Sequence, residues 1–523
     1  MSQAFRNNLF FNMLLNVFTK SITYFSYAII AYIWGPNLIT DIYYLGNSYV
    51  IAASGIFVIV ISSIFPTVFV NIRLNNSLIE ARKFAGTFII FIILPVLVFC
   101  FLGYLYSINL FTFISKINFV QVKENSRTLS MFSVVLLMTV MIEFFKAYLQ
   151  SLNHFIAVAI GYFLQSFIFL IILLKFNKNL GNNTLVLCLS YSMLVQIFFL
   201  IIYVLNKKIC PLFSFNLTNM HKSMIAVGIP LLIAHVLTLF VTYFFDFLAS
   251  GYPAGILTTL KYAQLIAFLP GLLFFTPLLD VISIKFSELY HTDIKQMVDK
   301  FLDFQSLVIL LMMPIMFFFY FFRDDIVKIF FLRGSFSSEN VIQTSRILMI
   351  YSITILSTSM LQIITRIYYI MQKTFWPSIY ALFFQLSMLI CCYLFSKYFG
   401  FWGLPISKVF VDLLIVLPTS YWLISKYLIG FNIKKIFIYF IKIFFINFLL
   451  SILIFLTVQE LFSIFGFSKS YSETLFLTIL RITSSLFIFL FFYFLVLIKI
   501  KNSYALNLYE YLKCKLFTYL NLG

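Results

Sequence analysis

Apolar runs long enough to cross a bilayer recur from the first tens of residues to the last, and that recurrence decides what this chain can fold into. A helical span needs ~20 predominantly apolar residues. On that rule about fourteen helices are predicted, at 9–34, 42–71, 84–110, 128–151, 155–176, 183–206, 222–248, 256–284, 303–322, 341–371, 375–397, 402–426, 434–458 and 471–499. Composition agrees: 10% of the 523 residues are charged, against roughly 25% in a soluble domain. Mean hydropathy is +1.04. The fold class expected is an all-α polytopic membrane protein. No small-residue cleavage site follows the first apolar run, so the first helix is expected to stay in place.

The chain carries 36 basic and 17 acidic residues, a net charge of +19. The basic residues fall mostly in short loops, where they orient a membrane protein and meet anionic headgroups. No soluble basic domain exists to bind nucleic acid. With the N-terminus inside, one side collects Arg73, Arg82, Lys83, Lys207, Lys208, Lys434 and Lys435 together with the C-terminal tail. The other holds fewer, among them Lys116, Arg323, Lys328 and Arg333, interspersed with Asp324, Asp325 and Glu339. Both termini are therefore expected to be cytoplasmic. The six cysteines form no CxxC pair, so neither a disulfide framework nor a metal site is expected.

An offset of about 220 residues lays the segment at Phe155 over the one at Phe375, Tyr148 over Tyr368, Lys146 over Arg366, Gln165 over Gln385 and Pro95 beside Pro314. Upstream, WGPNLITDIYY at Trp34 resembles SGYPAGILTTLKY at Ser250 across a short gap. A repeat of six helices keeps the same membrane orientation. It predicts an N-lobe at 1–215 and a C-lobe at 216–430 in parallel repeat, with an appended helix pair and tail at 431–523. Two such lobes imply a substrate path between them, the plan of a transporter.

Ionisable groups within a span cost ~2.5–3.5 kcal/mol each, so they face a partner or a cavity. Lys20 lies midway along the first helix and Lys261 on the eighth, and these two cations are expected to converge on a central space. Glu143 and Lys146, three apart, either neutralise each other or line a cavity. Lys408 and Asp412, four apart, read as a self-neutralising pair, and Arg481 lies on the fourteenth helix. Lys146 and Arg366 sit near helix ends, where long cations snorkel to headgroups or take part in gating. Asp246 and His235 on the seventh helix are candidates for ion or proton coupling, the alternative for His235 being a packed core residue. Gly228-Ile229-Pro230, Pro270-Gly271 and Pro277 predict kinks that either hinge or stay fixed. No Walker loop, HExxH or GxSxG is present, so no enzyme, nucleotide hydrolysis or cofactor is expected. An ion gradient, the membrane potential or the substrate gradient would have to drive transport.

At this point the residues resemble a known family. Phe247–Leu273 (FLASGYPAGILTTLKYAQLIAFLPGLL) is similar to the seventh-to-eighth helix stretch of the MurJ/MviN lipid II flippases of the MOP superfamily. Phe331–Pro377 resembles their RGxF loop, Tyr-Ser helix and Arg-x-x-Tyr run, and TDIYY at Thr40 their acidic-aromatic start of the second helix. The resemblance implies a multi-pass protein of the bacterial cytoplasmic membrane that flips an undecaprenyl-linked saccharide precursor. It also implies a cavity of cations for the pyrophosphate, with the lipid tail against the appended helices. Lys20 stands where the first of those arginines would be, and Asp41 matches the acidic position. Ser26, Ser54 and Leu265 stand where three more arginines would be. Lys261, one turn before Leu265, restores one charge, with Gln264 beside it. Lipid II or a related envelope glycan intermediate is the substrate expected, with membrane lipids and a monovalent ion as further partners. A monomer is expected, although no oligomeric state is fixed by the sequence. Two rivals stand: a MATE-like cation-coupled exporter using Asp246, Asp41 or His235, and a non-transporting membrane scaffold.

Overall fold

The computed structural model describes residues 3–176, 181–212, 236–371, 375–428, 430–464 and 475–499. His235 and Gly228-Ile229-Pro230 lie outside them. Among the described residues there is no strand, and ten helical stretches are long and apolar enough to cross a membrane. Each of the fourteen predicted segments coincides with helix, the seventh and the fourteenth over their described parts only. The helices run α1 (Gln3–Ile33), α2 (Leu38–Ile59), α3 (Phe65–Asn75), α4 (Leu78–Leu105), α5 (Ser107–Ile114), α6 (Phe119–Glu124), α7 (Ser126–Ser151), α8 (Phe155–Phe176) and α9 (Thr184–Asn206). They continue with α10 (Val236–Ala249), then α11 (Ile256–Pro270), α12 (Thr276–Thr292), α13 (Ile294–Phe321), α14 (Arg323–Phe331), α15 (Ser338–Ser352) and α16 (Thr354–Ile370). The last are α17 (Phe375–Phe399), α18 (Gly403–Phe410), α19 (Leu417–Tyr427), α20 (Ile433–Ile464) and α21 (Leu475–Lys499).

Three spans are continuous only through a π turn: Val60–Ile64 joins α2 to α3, Gly271–Phe275 joins α11 to α12, and Val411–Val416 joins α18 to α19. A proline opens the helix after each, at Pro66, Pro277 and Pro418. Proline has no N–H to offer the carbonyl four residues back, and its ring collides with that carbonyl. In all three cases that carbonyl (Ser62, Leu273 or Leu414) lies inside the π turn, where the wider winding accommodates it. The kink predicted at Pro270-Gly271 and Pro277 thus has a defined geometry, and the second helix shares it with its repeat partner, the eighth.

The described chain divides into two compact units. The first comprises Met1–Thr258, Arg333–Phe336 and Ala381–Ser396. Here α7 packs against α2, α4 and α9, and α8 against α1 and α9. Lipid is as apolar as leucine, so helix association relies on close packing rather than on exclusion from water. Part of the phenylalanine content serves that packing: Phe65 lies 4.8 Å from Phe88 and 5.6 Å from Phe144, ring centroid to centroid, and Phe144 stacks on Tyr148. Tyr148 then donates to Ile209 O (2.6 Å), beyond the end of α9. Two cations that the sequence assigned to loops lie on helices and bind carbonyls: Arg73 of α3 donates to Ser151 O at the end of α7, and Arg82 of α4 to Cys210 O. Cations are favoured at helix C-termini by the dipole. The α7–α8 hairpin turns at Asn153, in the left-handed region at φ 66°.

The second unit comprises Thr259–Leu332, Ser337–Tyr380 and Lys397–Gly523. Its centre is α13, which packs against α15, α16 and α20. Phe301, Met313, Ile363, Ile367 and Ile443 are wholly buried there. Tyr368, aligned with Tyr148 by the repeat, likewise donates to a backbone carbonyl, Ser420 O on α19 (3.2 Å). The predicted span 341–371 is two helices broken at Ile353, and α14 is a helix the sequence reading left as loop.

Candidate functional site

Lys20 sits near the midpoint of α1, half-buried, with no ion-pair or hydrogen-bond partner among the described residues. One turn on, Thr23 Oγ1 lies 3.2 Å from Ser166 Oγ of α8, tying this part of α1 to its neighbour. Ser26 is buried, and its hydroxyl donates to Ile22 O of its own helix (2.9 Å). Ser54 is buried on α2, beside Gly55, where an added Cβ would strike Leu239 of α10.

Asp41 is turned elsewhere. The α2 N-terminus is closed by a capping box of Asn37 and Thr40, which leaves the next side chain pointing away from its own helix end. The buried Asp41 carboxylate accepts from Gly255 N–H (2.6 Å), Thr258 N–H (2.8 Å) and the Thr258 hydroxyl (2.6 Å). It caps α11 from outside, at the positive end of the helix dipole. Gly255 has φ 94°, and a Cβ there would come within 2.8 Å of Pro36 O, so glycine alone lets the two turns meet. These turns are the two segments that the sequence alignment superposed, at Trp34 and Ser250. The Arg333-Gly334-Ser335-Phe336 loop joins them: Ser335 donates through N–H to Tyr32 O and through its hydroxyl to Ile33 O, both at 2.8 Å. That loop therefore closes the carbonyl end of α1.

Glu143 and Lys146 form an ion pair at 2.9 Å on α7. Tyr162 of α8 donates to Glu143 Oε1 (2.9 Å), and its ring centroid lies 5.8 Å from Lys146 Nζ. Asp246 is fully buried on α10, one turn from Tyr243, whose hydroxyl donates to Ile114 O (2.8 Å).

In the second unit Lys261, Gln264 and Leu265 are half-buried on one stretch of α11, and Arg366 is exposed on the last turns of α16. Lys408 and Asp412 pair at 2.9 Å, as their spacing predicted. Arg481 and Asp325 form an ion pair that the sequence did not reveal. Arg481 Nε donates to Asp325 Oδ2 at 2.9 Å and Nη2 to Oδ1, a bidentate contact with both residues buried. Asp325, counted as a loop charge, is on α14, and Lys328 beside it is also buried. The one available signal was negative. Glu143–Lys146 and Lys408–Asp412 find partners within a helical turn, whereas Arg481 has no carboxylate within four residues and needs a distant one. Among the described residues no group of three or more His, Cys, Asp or Glu stands ready for a metal ion.

A family model described as "Lipid II flippase MurJ" matches residues 30–480. The chain belongs to the MurJ lipid II flippase family. A solved MurJ, described as an inward closed conformation of the lipid II flippase, superposes with TM-score 0.78 at 17% identity, covering 94% of this chain and 99% of that one. Two MATE-family multidrug resistance transporters of the MOP superfamily share the fold more loosely. The inward-facing one has TM-score 0.60 at 14% identity over 77% of this chain and 95% of its own. The outward-facing one has TM-score 0.55 at 12% identity over 80% and 95%. A comparison with curated protein sequences returns no match. The protein is thus an all-α multi-pass member of the MurJ family, a family of transporters rather than catalysts. Lys20 and Ser26 precede the matched stretch, while Asp41, Ser54, Lys261 and Leu265 lie within it.

Proposed function

We propose that this chain flips an undecaprenyl-linked saccharide precursor, lipid II or a related envelope glycan intermediate, across the bacterial cytoplasmic membrane by alternating access. The observation that carries the reading is Lys20. An intramembrane cation without a partner costs ~2.5–3.5 kcal/mol, a cost offset when an anionic headgroup binds it. Lys261 and Gln264 are proposed to serve the same headgroup. Lysine is a point charge without arginine's fork, and Ser26, Ser54 and Leu265 add no charge. The site should therefore hold a diphosphate by fewer directed bonds than a cavity lined with arginines. Asp246 is the proposed coupling residue, and Glu143, Lys146 and Arg366 are proposed to act in gating. No step of this scheme needs a cofactor or a bond made by the protein.

Reconstitution with a fluorescent lipid II, read as reagent-accessible probe on the far leaflet, tests the proposal. Lys20→Ala should slow flipping at least tenfold, and Lys20→Arg should keep most of it. Flipping by Lys20→Ala at the wild-type rate would end this reading. Ion-driven efflux of small cations that depends on Asp246 and ignores Lys20 would favour MATE-like export instead.

A further inference from the structure

Between α2 and α10, within the first unit, lies an apolar crevice of about 440 Å³. Tyr49, Ala53 and Ile56 line it from α2, Leu239 and Tyr243 from α10, and Phe113 from α5. It exists because α2 carries Ala52 and Ala53 where a larger residue would fill the space, while Gly55 draws Leu239 in below. Along α10 it runs from Val236 to Phe247, about 16 Å at ~1.5 Å per residue. That is close to half the ~30 Å hydrocarbon core, the depth of one leaflet. Its rim residues Ile56, Phe113 and Phe240 are exposed and apolar, the surface that hydrocarbon chains would cover on a helix long and apolar enough to cross a membrane, as α2 is.

A cation stands at one end. Lys116 Nζ lies 5.3 Å from the ring centroid of Phe247, which itself lines the crevice. The lysine is held in place. Its N–H donates to Ser250 Oγ (3.0 Å), and its stem lies so close to Gly251 that an added Cβ would come within 2.8 Å of Cδ. We propose that this crevice holds one acyl chain of an anionic phospholipid, with the lipid phosphate at Lys116. A neutral lipid would fill the apolar trough equally well but gain nothing from the ammonium. The proposal does not rest on the flippase reading, because this lipid is bound rather than carried.

The test is native mass spectrometry of the full chain taken from vesicles of equal parts phosphatidylethanolamine and phosphatidylglycerol, counting retained lipids. Wild type should retain one phosphatidylglycerol in preference to phosphatidylethanolamine. Lys116→Gln should keep one lipid but lose the preference. Ala53→Trp, which fills the trough, should lose that lipid while its helical circular dichroism is unchanged. Ala52→Leu serves if the tryptophan variant does not fold. Equal retention of both lipids by wild type, or undiminished phosphatidylglycerol in a folded trough-filling variant, would overturn the assignment. So would one-for-one displacement by added polyprenyl phosphate, which would make the occupant the carried substrate's chain.

Discussion

Asp41 spends its carboxylate on three donors of the α11 N-terminus, so its chemistry is testable one atom at a time. Asp41→Asn sets an amide N–H₂ against one of those N–H groups and leaves a buried donor unsatisfied, at about 1–3 kcal/mol. Thr258→Val removes a single bond and should cost about 1 kcal/mol. Thermal unfolding in detergent should rank wild type above Thr258→Val above Asp41→Asn. His154, in the α7–α8 hairpin outside the spans, is held below the usual histidine range by burial and then by Lys207. A histidine depressed in the fold binds its proton more readily when unfolded. Its contribution is present above the unfolded value near 6.5 and is lost as pH falls through the folded one. The fall in melting temperature from neutral to acidic pH should therefore be smaller in His154→Gln than in wild type. How much the sequence could say about such residues depended on distance along the chain. Glu143–Lys146 and Lys408–Asp412 were legible because helical geometry alone brings them together. Asp41's partners were not, because two of its three donors are backbone amides more than two hundred residues away, and no side-chain pattern announces an amide.

At the scale of elements, Arg481 and Asp325 join α21 to α14 through a buried bidentate ion pair. Removing either partner takes the bidentate counter-ion from a buried charge, at about 3–5 kcal/mol, whereas replacing both with apolar residues is close to neutral. Arg481→Met and Asp325→Asn should each lower thermal stability sharply, and Asp325→Leu/Arg481→Met should recover most of it. Equal additive losses in the double variant would show that the pair is not a unit. The long helices were readable because a bilayer imposes a length and a hydropathy on each span. The helices α5, α6 and α14 were not, since six to nine residues of mixed polarity carry no such imposed period. The π turns lay between: the prolines were visible, but the extra width that absorbs each of them is a backbone property that appears only in three dimensions.

For the whole molecule, the fourteen spans that the sequence predicts and the basic bias of one loop set would place both termini on the cytoplasmic side. Green fluorescent protein fused to either end should fluoresce, and alkaline phosphatase fused to either end should stay inactive. Activity of the phosphatase at one end only would mean that the number of crossings is odd. The family and the all-α plan were already apparent from runs such as Phe247–Leu273, while the substrate positions were not, because Ser26, Ser54 and Leu265 stand where the resemblance implies arginines. The Arg481–Asp325 pair has a further consequence in time. Synthesis runs from the N- to the C-terminus, so Asp325 is made well over a hundred residues before its counter-ion exists. Until α21 arrives, Asp325 lacks the bidentate arginine that it meets in the folded chain. Docking of α21 should therefore complete the packing of α14, and a chain ended before Arg481 should melt at a lower temperature than the full chain.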